Sequence, residues 1–388
     1  MAKTKRRRLP VGIQSFKEIR KDGYIYVDKT DTVWYLANEG CKYNYLSRPR
    51  RFGKSVLVDT LQSYFEGRRD LFEGLKIMKL EEEWKQYPVI RFDMSEAGAT
   101  AAGIIAYLDN VFCQYEKELA ITPRKATSLA VRFKNIILKA YQKTGLQAVV
   151  LIDEYDSPLQ HSWMTPEHEG CIDVYREVFA ILKSSDRYEK FVFITGITKF
   201  TQISLFSALN NLTNISFLPE YAALCGITED EITEYFQPEL EKMAERNEWT
   251  IKETHDRLKD YYDGYHFSRR NMVDVYNPYS LINALNTQEL NSFWASSGAT
   301  SLLPKFIKNA ELHMNSFENC SVLRSTLETS DVTGGAELFL YQTGYLTIKS
   351  SDEFGYTLGF PNEEVRQALY EVVLPALTMR EESDIQSL

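Results

Sequence analysis

The sequence has no apolar run approaching the roughly 20 residues that a membrane-spanning helix requires, and its first residues lack the apolar core of a secretory signal. A membrane-embedded or exported protein is therefore not expected, and a cytoplasmic one is. Cysteine is sparse: Cys41, Cys113, Cys171, Cys225 and Cys320 stand far apart, without the close pairs that zinc sites and small disulfide frameworks use. The five histidines, His161, His168, His255, His266 and His313, also fall at no metal-ligand spacing, so a metal held by protein ligands alone is not expected. No internal repeat or low-complexity tract is evident. Excess positive charge is missing too. A net charge of −9 gives no global attraction to nucleic acid, whose backbone demands local positive charge. The one basic cluster, Lys3, Lys5, Arg6, Arg7 and Arg8, reads as a solvated end.

What is present suits a folded protein with a large core: 44% of residues are hydrophobic and 26% charged, the balance of globular rather than disordered chains. At 388 residues the chain exceeds what one core usually serves, and two parts are expected, residues 1–226 and 227–388. Residues 9–40 read as a strand or turn leading into a short helix. Cys41 to Leu46 is a strand candidate that runs into Ser47-Arg48-Pro49-Arg50-Arg51-Phe52-Gly53-Lys54-Ser55. Val56, Leu57, Leu61, Tyr64 and Phe65 then recur at helical spacing. Val89–Asp93, Ala148–Ile152 and Phe191–Thr195 read as further strands, the last two unbroken and apolar as strands buried on both faces of a parallel sheet are. Helices are expected between them, two within 103–143 and one over 171–183. This alternation predicts an α/β fold with a doubly wound, mostly parallel sheet and ligands at the carboxyl ends of its strands.

Beyond residue 226 the pattern becomes helical, with capping boxes at Thr228/Glu231 and Thr250/Glu253. Leu338–Ile348 and Tyr356–Phe360 flank a turn-rich segment and read as a hairpin, which makes the C-terminal part helical and winged-helix-like.

Two short motifs carry the chemistry. Gly53-Lys54-Ser55 is the second half of the phosphate-binding pattern G-x-x-x-x-G-K-S/T (Walker A), with Arg48 in the first glycine's place. Backbone N–H groups at a helix N-terminus cradle phosphate oxygens, the lysine reaches the β- and γ-phosphates, and the serine hydroxyl ligates magnesium. Arg50, Arg51, Phe52, Gly53, Lys54, Ser55 and Val56 are thus the expected nucleotide-binding stretch. Arg50 and Arg51 either meet phosphate or pair with acidic neighbours. Arg48 must point away from the nucleotide, the preferred reading, or reach it itself.

The second motif is an apolar strand ending in Asp153-Glu154 (Walker B), one carboxylate for magnesium and one to polarise the attacking water. Metal ligation is therefore expected at Ser55 and Asp153, and catalysis at Glu154 and Lys54. Val89–Asp93, between the two motifs, suits the ATPase branch of this fold. That branch places a polar sensor on the next strand, for which Thr198 and Lys199 are candidates. The guanine-reading pattern Asn-Lys-x-Asp does not occur, which leaves ATP the expected nucleotide. His266 reads as a packed or capping residue rather than a nucleotide contact.

The order of short motifs along the chain resembles that of the bacterial AAA-ATPase-like family. It comprises Leu9–Gly12, Tyr26–Lys29, Ser47–Ser55 (SRPRRFGKS), Val150–Asp156 (VLIDEYD), Gly196–Phe200 (GITKF), Asn210–Ser216, Asp263–Phe267 (DGYHF), Tyr276–Leu281 (YNPYSL), Gln342–Ile348 (QTGYLTI) and Pro361–Arg366. The resemblance implies that arginine at position 48 is a normal feature. It also implies a P-loop NTPase with Lys54 and Ser55 at phosphate and magnesium, and Asp153 and Glu154 at magnesium and water. Members often continue into a nuclease-like domain of the PD-(D/E)XK type, which leaves a nucleic acid or a nuclease-like partner to consider. No strand–Glu-x-Lys arrangement follows residue 360, so nuclease activity is not expected here. The expected activity is magnesium-dependent ATP hydrolysis that moves the C-terminal part. The alternatives are a nucleotide-gated switch with little turnover and a scaffold with a decayed site. Oligomeric state is left open.

Overall fold

In the computed structural model, the structure describes residues 8–122, 127–199, 212–296, 303, 318–329 and 335–371. Lys3, Lys5, Arg6, Arg7, His313, Phe200 and residues 210–211 of the sequence reading lie outside them.

Two helices open the chain, α1 (Phe16–Lys21) and α2 (Thr30–Asn38). The turn between them is held by Asp28, whose carboxylate accepts from the backbone N–H and hydroxyl of Thr30 and from the N–H of Lys76. Strand β1 (Tyr43–Ser47) then leads through the Arg48–Gly53 loop into α3 (Lys54–Phe65). Next come β2 (Val89–Asp93), α4 (Ala101–Glu118), α5 (Leu129–Thr144), β3 (Ala148–Asp153), the short α6 (Ser157–Ser162), α7 (His168–Phe179), β4 (Glu189–Gly196) and β5 (Thr213–Asn214). Helices α4 and α5 start where Thr100 and Ser128 accept from the N–H groups of Gly103 and Val131, and α5 stops at Gly145 in the left-handed region (φ 72°).

The five strands are all parallel, in the order β2-β3-β4-β1-β5. Every residue of β3 is buried, as its unbroken apolar run predicts for a strand covered on both faces. The topology refines one expectation. Val89–Asp93 separates the two motifs in sequence, but in space it is an edge strand. The strand that lies between β1 and β3 is β4, which ends next to Thr198. The free edge of β2 is covered by α4, where the hydroxyls of Tyr115 and Tyr107 accept from the N–H groups of Arg91 and Asp93 at 2.8 Å each.

Helices α8 (Glu229–Asn247), α9 (Ile251–Tyr262) and α10 (Pro278–Thr287) follow, the first two opened by the capping boxes read from the sequence. They bury a cluster of their own, including Ile232, Phe236, Leu240, Leu258 and Leu281, against which Leu9, Ile25 and Val27 of the N-terminal segment pack. The described residues beyond them include α11 (Ala336–Thr343) and an antiparallel sheet of β6 (Cys320–Leu323), β7 (Thr347–Ser351) and β8 (Gly355–Gly359), in the order β6-β8-β7. The hairpin is present, but the first half of Leu338–Ile348 is helix rather than strand. Leu338, Phe339, Leu340 and Tyr341 are all buried, and a helix buried all round shows no periodicity to distinguish it from a strand. These residues share one hydrophobic cluster with the large sheet.

Candidate nucleotide site

The two motifs meet at the carboxyl ends of β1, β3 and β4. Asp93 pairs with Asp153 across β2 and β3, and Ser47 with Gly196 across β1 and β4, so the strand ends lie level. Gly53 adopts φ +84° with open space around it, and α3 begins at Lys54 immediately after. The loop thus directs unpaired N–H groups of a helix start at whatever lies beside it. Lys54 is buried, and its ammonium donates to the carbonyls of Arg48 and Pro49 at 3.0 Å each. Burial lowers its pKa, opposed by Glu154, Asp153 and Asp156.

Side chains of the loop face the C-terminal part. The guanidinium of Arg48 donates to the carbonyls of Ser47, Ser216 and Tyr221, each at 2.9 Å, and lies 4.1 Å from the centre of the Phe267 ring. It points into the protein interior, and its pKa is lowered by burial. Pro49 packs on Gly344. Phe52 is buried edge-on against Tyr265 (4.7 Å) and Phe267 (5.4 Å), which fixes its ring on the C-terminal part. Arg51, itself in the left-handed region (φ 68°), sits over Tyr279 at 4.7 Å. Arg50 donates to Oε1 of Gln160 at 3.2 Å and borders a small cleft with Phe339, Thr343 and Tyr345.

At the end of β3 Asp153 is fully buried. Burial raises its pKa to about 6, against the lowering effect of the neighbouring Ser55 hydroxyl. Oδ1 accepts from the N–H of Glu154 at 3.0 Å, whereas Oδ2 has no hydrogen-bond partner among the described residues. A buried carboxylate oxygen without a partner is costly unless a cation completes it. With Ser55 beside it, the donor set is all oxygen, which fits magnesium. Glu154 has φ +47°, a conformation non-glycine residues rarely hold without compensation, and it lines the cavity described below.

Thr198 is not brought into that cavity. It is buried, and its N–H and hydroxyl both bond Asp156 at 2.6 Å, while its carbonyl accepts from the hydroxyls of Tyr45 and Tyr155. Lys199 turns toward α11, its N–H donating to Oε1 of Gln342. His266 also lies elsewhere, between the Ile348 carbonyl and Asp274.

A cavity of about 450 Å³ opens over the loop, lined by Arg50 through Leu57, Asp93, Ser95 and Glu154 on the sheet side. Its other walls are Pro10–Gln14 and Tyr26, Val27 and Lys29 from the N-terminal segment, Leu224–Ile227, and Pro278, Tyr279, Ile282 and Asn283 of α10. The volume and the mix of apolar walls with a few charged groups match what small-molecule sites require. Reasoning from individual residues missed these walls, because nothing in Pro10 or Ile282 announces a ligand. The signal was the order of motifs, since Leu9–Gly12, Tyr26–Lys29 and Tyr276–Leu281 all supply cavity residues. Lys29 also ties the walls together through a 2.8 Å ion pair with Glu231 on α8.

A family of proteins described as predicted AAA-ATPases matches residues 10–206. An uncharacterized protein encoded in the vnfD 5′ region of Azotobacter chroococcum mcd 1 is 34% identical over 402 residues, an alignment that covers 99% of this chain and 74% of that protein. Among solved structures, Cdc6p from Pyrobaculum aerophilum is 10% identical with a TM-score of 0.30, covering 98% of this chain and 97% of that one. The Aeropyrum pernix Orc1 protein, solved in complex with DNA, is 13% identical with a TM-score of 0.30, covering 88% and 90%.

Proposed function

The chain belongs to the predicted AAA-ATPase family, and from that premise we propose that it binds ATP in the cavity over the Arg48–Gly53 loop and hydrolyses it with magnesium. The observation that carries this reading is that Lys54, Ser55 and Glu154 line one edge of that cavity, with Asp153 buried beside Ser55. A triphosphate entering there competes for the Lys54 ammonium with two neutral carbonyls, and hydrogen bonds to a charged oxygen are about twice as strong. The N–H groups at the start of α3 take the phosphate oxygens. Ser55 and Asp153 would hold a magnesium ion, whose contribution would be to neutralise charge on the phosphates. Glu154 accepts a hydrogen bond from the attacking water and draws its proton. Its left-handed backbone lets it stand beside Asp153 without entering the strand.

Coupling of hydrolysis to movement of residues 227–388 is part of the same reading. Its support is that Arg48, Pro49, Arg51 and Phe52 each touch a residue beyond 226, so a shift of the loop is felt there directly. The test is calorimetric titration with ATP and GTP in the presence of magnesium, followed by phosphate-release kinetics. Tight ATP binding with turnover is expected. Binding without turnover would favour a nucleotide-gated switch, and no binding of either nucleotide would sink the reading.

A further inference from the structure

Arg51 holds its backbone in the left-handed region, φ +68°, two residues before Gly53 at φ +84°. Glycine adopts that conformation without strain and arginine does not, so the strain points to a use for the side chain. Among the described residues its guanidinium forms no hydrogen bond or ion pair, and its partner is the ring of Tyr279, whose centre lies 4.7 Å away. Asp93 and Glu154 line the same cavity, yet neither is ion-paired with it.

Tyr279 belongs to the first turn of α10. Pro278 opens that helix, and Asn277 caps it by accepting from the N–H groups of Tyr279 (3.0 Å) and Ser280 (3.2 Å). The ring is thus carried on a fixed helix start, and it lines the cavity together with Arg51, Lys54 and Ser55. Attraction to the face of a ring supplies a cation with no oxygen acceptor, so the five N–H donors of the guanidinium remain to be satisfied. Arg51 is exposed, and an incoming anion reaches those donors without displacing a protein acceptor. At Lys54, by contrast, two carbonyls must be displaced first.

We propose that Arg51 is a phosphate ligand that couples the nucleotide to α10, its N–H groups taking phosphate oxygens while its attraction to Tyr279 holds the start of that helix over the loaded loop. This rests on the ATP-site reading above. Arg51 touches the ligand, and Tyr279 acts through Arg51 as a positioning residue.

Calorimetry with ATP and magnesium on the wild type, Arg51→Gly, Tyr279→Leu, Tyr279→Phe and the double variant of the first two tests it, together with amide hydrogen exchange of α10 at saturating ATP. Glycine holds φ +68° without strain, so Arg51→Gly removes the guanidinium and leaves the loop able to fold. ATP affinity should fall about tenfold or more, the scale of a lost hydrogen bond to a charged group. Tyr279→Leu should cost about two- to fivefold, the scale of an exposed cation–π contact, and nothing further in the Arg51→Gly background. Tyr279→Phe keeps the ring face and should recover most of that loss. ATP should slow exchange in α10 of the wild type and do so less in Arg51→Gly. Unchanged affinity in Arg51→Gly, or equal protection of α10 with and without the guanidinium, overturns the proposal. A Tyr279→Leu loss that persists undiminished without Arg51 also overturns it, since Tyr279 then has a nucleotide contact of its own. If Tyr279→Leu does not fold, Arg51→Gly decides alone through affinity and exchange. A wild type that binds no nucleotide refutes the ATP-site reading and this inference with it, whereas one that binds ATP as tightly as every variant does refutes only the inference.

Discussion

Gly344, in the C-terminal part, lies so near Pro49 of the Arg48–Gly53 loop that a Cβ on it would stand 2.6 Å from the proline Cβ and 2.9 Å from its Cγ. Gly344 also ends α11 at φ +92°, where only glycine is unstrained. Both constraints fall on one residue, and Pro49 cannot yield without moving the carbonyl that Lys54 uses.

Gly344→Ala should therefore lower thermal stability by about 1–3 kcal/mol and weaken ATP binding as well, although the residue is remote from the phosphates. An unchanged melting temperature would show that the contact between loop and C-terminal part is not tight.

Arg48 invites a second substitution. Its guanidinium satisfies three carbonyls in the interior, so Arg48→Gly should destabilise the fold by about 3 kcal/mol or more rather than restore a standard loop. Arg48→Lys should recover only part, because an ammonium cannot span the same three acceptors in a plane. Denaturant unfolding of the two variants checks this. A wild-type midpoint for Arg48→Gly would mean that the buried guanidinium contributes nothing. Reading the loop alone, Arg48→Gly looks harmless to nucleotide binding if the side chain points away. The side chain does point away, but inward, and that makes it structural.

If ATP binds as proposed, Lys54→Ala should lose most of the affinity, since the ammonium would then be the main side-chain charge facing the β- and γ-phosphates. Glu154→Gln should keep binding and lose hydrolysis, because the amide preserves shape but no longer draws the proton of the attacking water. Titration and phosphate release separate the two effects. Wild-type turnover in Glu154→Gln would place the water-activating group elsewhere.

Stability should fall as pH rises from about 4 to about 7. Burial raises Glu189, Asp263 and Glu364 each to about 7, and each has at least one carboxyl oxygen without a hydrogen-bond partner among the described residues. An acid whose folded pKa lies above its unfolded value contributes stability that is full below the unfolded pKa of roughly 4 and lost as pH climbs through the folded one. Glu364→Gln removes one such group. It should match the wild type near pH 4 and gain about 1–3 kcal/mol over it at pH 8. Equal unfolding midpoints at both pH values would contradict the burial argument.

The centre of the sheet was readable in the sequence because β3 and β4 are buried on both faces, and an unbroken run such as Ala148–Ile152 has few other uses. The capping boxes at Thr228 and Thr250 were equally legible, since the side chains that form them are local. The failures have a common cause in contacts made at long range. The helical character of Leu338–Tyr341 depends on burial from all sides, which periodicity does not encode. The position of Val89–Asp93 at the sheet edge depends on which strand pairs with which. At the candidate site, Lys54, Ser55, Asp153 and Glu154 announced themselves by local motif. The engagement of Thr198 with Asp156, and of Gln160 with Arg50, spans 42 and 110 residues and had no local signature.

The tyrosine hydroxyls over β2 limit how copies of this chain can assemble. An edge strand with open N–H groups recruits another strand, from a second copy or from an extended peptide, and the sheet then continues across the boundary. Here the N–H groups of Arg91 and Asp93 are already spent on Tyr115 and Tyr107, and α4 stands in the approach path. A ring or filament of these chains could not be stitched together backbone to backbone along that side. Any assembly there must use the side chains on the outer surface of α4, where sequence changes can tune or abolish it without touching the sheet.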